Sequence, residues 1–221
     1  MPPPAKYYDH FAVGDYMFTP KVWNEFSPGN NGTASYTGRL GLEFPIVGLT
    51  WMVEGDWRHW AYTTTAGPVT TIGQTGATVL PSFTAHEDDV DARLGIKVVD
   101  PRIYIGANYM WRQNNYGYPQ ISGVGFGLEK LPDLDQTFTL YGSYWYVPSL
   151  QGNYGTNVAT PAGTLSYRAS KYQIGLDWNF GGPHFPIYLD IGFLGNYYTN
   201  KTNAPSSINQ YSGYAGFGIH F

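Results

Sequence analysis

Cysteine is absent from all 221 residues, which excludes disulfides and thiolate metal sites. Charge is scarce: Asp, Glu, Lys and Arg make up 13% of the chain, where soluble domains run near a quarter. Something other than water must face much of this surface. Yet no stretch approaches the ~20 consecutive apolar residues of a membrane-crossing helix. Helical periodicity, phosphate loops and dinucleotide fingerprints are also missing. A formal net charge of -4 argues against a nucleic-acid footprint, so no nucleic-acid partner is expected. Met1-Pro2-Pro3-Pro4-Ala5 has neither the basic start nor the apolar core of an export signal. The expectation is a Met placed on a mature chain whose signal was removed, and a native coding sequence beginning at Met1 would disprove it.

Aromatics are plentiful: 18% of residues, 20 of them tyrosine. Sixteen prolines and 28 glycines are spread without a linker, so 1–221 reads as one domain, with 1–15 a polar amino-terminal segment. Ten segments alternate with period two, near 16–26, 36–44, 49–62, 89–99 and 102–112, then 121–130, 137–147, 165–180, 186–198 and 210–221. One register is apolar throughout, as in Leu49, Trp51, Val53 and Trp57, or Tyr172, Ile174, Leu176 and Trp178. The other holds most of the charge. A charge facing lipid at mid-bilayer costs ~2–4 kcal/mol, so outward positions must be clean while inward ones can be polar.

The connections alternate as well. Long ones span 27–35, 63–88, 113–120, 148–164 and 199–209; short ones are 45–48, Asp100-Pro101, 131–136 and 181–185. Trp57, Tyr109, Trp111, Tyr144, Tyr146 and Tyr197 fall toward the long-loop ends, and Phe44, Trp178, Phe180 and Phe221 toward the short turns. Two such girdles are expected where rings meet lipid headgroups. The final strand, Tyr211 to Phe221, ends the chain on an aromatic residue in register with Phe217 and Ile219.

On these features the chain resembles the outer-membrane β-barrel superfamily of Gram-negative bacteria, including small OmpA-like and porin-like barrels, with no specific family matched. The resemblance implies a closed antiparallel up-and-down transmembrane barrel, all-β, of about ten strands, or eight if two irregular segments are excluded. It implies integral insertion in the outer membrane among lipid and lipopolysaccharide, with the carboxy terminus periplasmic. The rival fold is a soluble barrel or sandwich with the apolar register inside.

A ten-stranded lumen is narrow. The inward charges Arg39, Glu43, Glu54, Asp56, Arg58, Asp91, Arg93, Lys97, Arg102 and Arg112 are expected to form a network there. Turn arithmetic sets Arg39 opposite Glu54 with Asp56 diagonal, Arg93 opposite Asn108, and Lys97 opposite Tyr104. It also sets Tyr141 across Gly125 and pairs the carboxylates of Asp177 and Asp190, which need a proton or cation between them if they close. The glycine-rich inner wall of the later strands could instead leave a narrow pore or cleft.

Two functions follow. One is a non-enzymatic barrel, either a narrow porin-like channel for small polar solutes or a structural barrel with a charge-filled lumen. The other is a surface-binding or adhesion protein engaging an extracellular partner through 63–88 and 148–164, with aromatic tips such as Tyr116, Tyr118 and Tyr154. A third, remote reading is a rim hydrolase of omptin type using His86, Asp88 and Asp89, with Asp56 and His59 on the neighbouring strand. No catalytic residue, cofactor or metal site is expected.

Overall fold

Period-two alternation builds strands with two unlike faces, and here ten long strands roll up so that both faces are used. The computed structural model describes residues 10–29, 32–74, 76–155, 162–180 and 186–221. The strands are β1 (Phe11–Asn24), β2 (Ser35–Ile46), β3 (Leu49–Thr63), β4 (Thr84–Val99) and β5 (Ile103–Asn114). They continue with β6 (Ile121–Lys130), β7 (Phe138–Tyr154), β8 (Gly163–Trp178), β9 (Ile187–Thr202) and β10 (Ile208–His220). Each pairs antiparallel with its sequence neighbours, and β1 also pairs with β10, which closes the ring. Closure removes every long sheet edge.

The wall is inside-out relative to a soluble protein. Leu140, Ile174, Val124, Phe126 and Phe217 are each about 60% exposed, whereas Asp56, Arg58, Asp91 and Asp190 are completely buried. With the apolar register outward and charge inward, the barrel meets lipid, and the soluble alternative is excluded. The aromatic rings at both ends of the outer surface stay exposed, including Trp57, Tyr109, Tyr144 and Tyr197 on the long-loop side and Trp178, Phe180 and Phe221 on the other.

Several boundaries differ from expectation. The first strand begins at Phe11, inside the segment read as a polar tail. Strands β4, β7 and β9 run well into the supposed loops, so the connections shorten to 64–83, 155–162 and 203–207. A barrel strand needs ~9–11 residues to cross a bilayer. Strands of 16 or 17 residues therefore carry the wall beyond the apolar belt on the long-loop side. Within the 64–83 connection, Gly67–Val69 and Thr78–Leu80 form a small separate hairpin. The expected 181–185 turn and residues 156–161 lie outside the described residues.

One turn changes the pairing arithmetic. Ile46 pairs with Leu49 around Val47-Gly48, both with positive φ (51° and 76°). This is the tight two-residue hairpin whose twist suits the flanking strands. It moves the register by two residues, so Arg39 stands opposite Asp56 and not Glu54. The pairs Lys97–Tyr104 and Arg93–Asn108 fall as expected.

Candidate functional site: the filled lumen

Inward side chains from opposite walls meet in the lumen. At mid-height, Lys171 on β8 reaches Asp56 on β3 at 2.8 Å and Asp91 on β4 at 2.5 Å. Asp56 also takes Arg58 at 3.2 Å and Arg93 at 3.2 Å. Arg93 turns its other nitrogen to Glu54 at 2.6 Å and Glu129 at 3.2 Å, and lies over the Trp145 ring. Trp145 Nε1 donates to Glu129 and Asn108 Nδ2 to Asp91. Arg58 Nη1 donates to the Asn196 side chain and to the Gly195 carbonyl on β9. Four acids thus face three bases, with amides completing the mesh. Buried charges survive only when paired and hydrogen-bonded like this.

A second layer lies toward the long loops. Arg112 pairs with Glu87 at 2.5 Å and Asp89 at 3.4 Å, above the Tyr198 ring. Glu87 also accepts hydroxyls from Tyr62 and Tyr116. A third layer lies toward the short turns, where Arg39 spans the lumen to Asp190 at 2.7 Å and Tyr141 donates to the same carboxylate. At the short-turn rim Glu43 accepts from Arg102 and Tyr104.

Both mouths are stoppered. On the short-turn side Leu131 and Leu134 fold into the barrel against Phe11, Met52, Tyr104 and Tyr188. The turn is tied by Asn179 donating to the Leu134 carbonyl at 2.7 Å. On the long-loop side Phe26 packs with Phe83, Tyr116 and Tyr118 over buried Trp60, Tyr62 and Val69. Tyr116 and Tyr118, read from sequence as loop tips for a partner, thus turn into the mouth. Glu25 fastens this lid: it accepts from Tyr118 at 2.5 Å and from Ser206 at 2.7 Å, joining three loops. Burial pushes its carboxyl above the usual range, and the nearby Glu87 charge adds to the effect.

The glycine side of the wall is covered by rings. Tyr141 lies over Gly175, its partner on β8, and not over Gly125. Gly125 instead stands by Val147 and Asn108, Trp145 covers Gly127, Tyr188 covers Gly218 and Tyr214 covers Gly192. Aromatic cover of strand glycines stabilises such walls.

Nine of the ten expected network charges therefore come together in or beside these layers. Lys97 does not: it sits at the short-turn rim on Asp100, which is 83% exposed in its side chain. Asp177 and Asp190 are cross-strand partners as expected. The expected set lacks Asp15, Glu87, Asp89, Glu129 and Lys171. Asp15 lies in the segment expected as a tail, Glu87 and Asp89 at a loop boundary, and Glu129 and Lys171 join only by reaching other strands. The hydrolase group is split by the wall. His59 and His86 stack at 5.4 Å on the outer face, with Asp88 2.9 Å from His59, while Asp56 and Asp89 are inside. Among the described residues no three histidine, cysteine or acidic side chains form a ready metal-ligand group.

Fold and lumen define a closed transmembrane β-barrel with a filled interior. No family model and no curated protein matches the chain. Among solved structures it is similar to outer-membrane barrels. Neisserial surface protein A is 12% identical, over 97% of both chains, with a TM-score of 0.38. The attachment invasion locus protein Ail of Yersinia pestis is 13% identical over 97% of this chain and 98% of its own, with a TM-score of 0.38. The outer membrane protease OmpT of Escherichia coli is 10% identical over 97% and 94%, with a TM-score of 0.48.

Proposed function

We propose that this chain is a non-enzymatic integral protein of the bacterial outer membrane, with its carboxy terminus on the periplasmic side and its lumen closed to solutes. The observation that carries this reading is Lys171, which joins Asp56 and Asp91 from the opposite wall with every participant at most 1% exposed in its side chain. A lone charge there would be very costly, so the mesh acts as structure and leaves a diffusing solute no polar path. Short turns on one side and longer loops on the other support the orientation. The division of His86 and Asp88 from Asp56 and Asp89 across the wall supports a non-catalytic rim.

Single-channel recording of the refolded protein in a planar bilayer tests this. The wild type stays silent, and Arg58→Ala/Lys171→Ala, if it folds, opens a small conductance. Steady openings from the wild type would overturn the closed lumen.

A second reading is favoured by one feature. The connection 64–83 carries no charged residue and projects a hairpin on which Val79 is 76% exposed. A surface of that kind suits contact with an extracellular partner. Replacing 70–77 by a short glycine-serine link should leave the barrel folded and abolish binding to host-cell surfaces or matrix proteins.

A further inference from the structure

One row of the inner wall is short of positive charge. Around the barrel, paired residue by residue, run Thr37, Asp15, Gly216, Asp190, Asp177 and Thr139. Three carboxylates thus occupy three of four adjoining strands at one level. The fourth strand contributes Gly216, against whose backbone the Asp15 carboxylate rests. Asp15 is 4% exposed, Asp177 1% and Asp190 0%.

Only Asp190 is served, by Arg39 and Tyr141. Both oxygens of Asp15 and both oxygens of Asp177 are buried with no hydrogen-bond partner. The Tyr188 hydroxyl, two residues from Asp190 on the same inward face, is likewise buried without a partner. Three acids against one guanidinium leave two negative charges uncompensated. Elsewhere in the lumen Glu54 Oε2 and Asp91 Oδ2 also lack a hydrogen bond, but Glu54 is ion-paired to Arg93 and Asp91 to Lys171; Asp15 and Asp177 have neither. A buried polar group left unmatched in a native protein signals an absent ion or water, or a functional strain.

We infer that this row binds one hard divalent cation, such as Mg2+ or Ca2+, bridged by the cross-strand pair Asp177 and Asp190, with Asp15 supplying charge from across Gly216. Two positive charges match the two that are unopposed, and oxygen-only donors suit these ions. Among the described residues no three acids stand ready-made as a ligand set, so the pair provides the direct bonds and Tyr188 is the neighbouring oxygen available to a third. The stopper of Phe11, Leu134 and Tyr188 lies on the short-turn side of the row. Asp15 comes from the first strand and Asp177 and Asp190 from strands near the last. The site is complete only once the ring is closed, so the ion is taken up during closure and then exchanges slowly.

The test refolds the full chain into detergent micelles with MgCl2, CaCl2, or choline chloride of equal ionic strength, and follows thermal unfolding by circular dichroism. At a hundredfold excess over the dissociation constant, one divalent ion should raise the midpoint by roughly 5–10 °C over choline. Asp177→Asn should abolish that increment. It should also unfold in choline at a temperature no lower than the wild type, because it removes an unopposed charge. An increment that persists in both Asp177→Asn and Asp15→Asn would place the ion elsewhere and overturn the inference. So would a midpoint that ignores divalent ions and moves only with pH, since protons would then neutralise the row.

Discussion

Glu54 and Arg93 are directly paired across β3 and β4 and are also ion-pair partners at 2.6 Å, with both side chains fully buried. Arg39, one strand earlier, ignores its cross-strand partner Asp56 and crosses the lumen to Asp190. Local register and shape of the lumen thus both decide who meets whom.

Removing Arg93 should be the most damaging change in the network. Arg93→Met strands Glu54 and Glu129 and weakens Asp56, and breaking a buried pair costs about 3–5 kcal/mol. Lys97→Met should cost under about 1 kcal/mol, because Asp100 is open to solvent and exposed pairs contribute little. Urea unfolding of both variants in micelles measures the contrast; equal losses would mean that the lumen is wet and screened.

The outer face should reject charge and the loops should tolerate it. Ile174, 61% exposed in mid-strand, faces lipid, and Ile174→Arg should cost about 2–4 kcal/mol on insertion into vesicles. Val79→Arg, on the loop hairpin, should change insertion by no more than about 0.5 kcal/mol. Folding titrations into lipid vesicles compare the two.

Gly218 should not accept a methyl group. A Cβ there would stand 2.1 Å from the Tyr188 ring, which is itself hemmed in by the stopper. Gly218→Ala should therefore cost about 1–3 kcal/mol by overpacking. Tyr188→Leu in the same chain should recover part of that loss, and a double-mutant cycle reads the coupling.

The lid should tighten in acid. Burial raises the Glu25 carboxyl, so the folded lid binds a proton more readily than the unfolded chain does. Its stabilisation is fully present below the ordinary glutamate range and is lost as pH rises through the raised value. Hydrogen exchange of 24–28 and 115–120, corrected for intrinsic rates, should show protection falling with rising pH. Glu25→Gln keeps acceptor and donor capacity and should flatten that dependence.

Much of the barrel was legible because lipid imposes a strict rule on alternate residues, as Ile174, Leu176 and Trp178 against Gln173, Gly175 and Asp177 illustrate. The first strand broke that rule. Its register shifts between Phe18 and Lys21, around Pro20 and the positive φ of Thr19, so the inward positions change from odd numbers to even. Asp15 and Met17 face in before the bulge, and Val22 after it. Such a switch of parity leaves no alternation to read across the break. The Arg39 pairing failed for another reason: Val47-Gly48 lacks the Asn-Gly signature of its turn type. Contacts across the lumen, such as Lys171 with Asp56, depend on barrel diameter and side-chain reach, and no local pattern encodes them.

The alternation along most of the strands also matters before any barrel exists. A polypeptide in which polar and small residues keep interrupting the apolar ones offers no continuous greasy segment of the length a membrane-crossing helix needs. Its affinity for lipid stays latent in the linear chain and emerges only when hydrogen-bonded strands gather those scattered residues onto one side. Insertion is thereby tied to strand pairing by a property of the sequence itself.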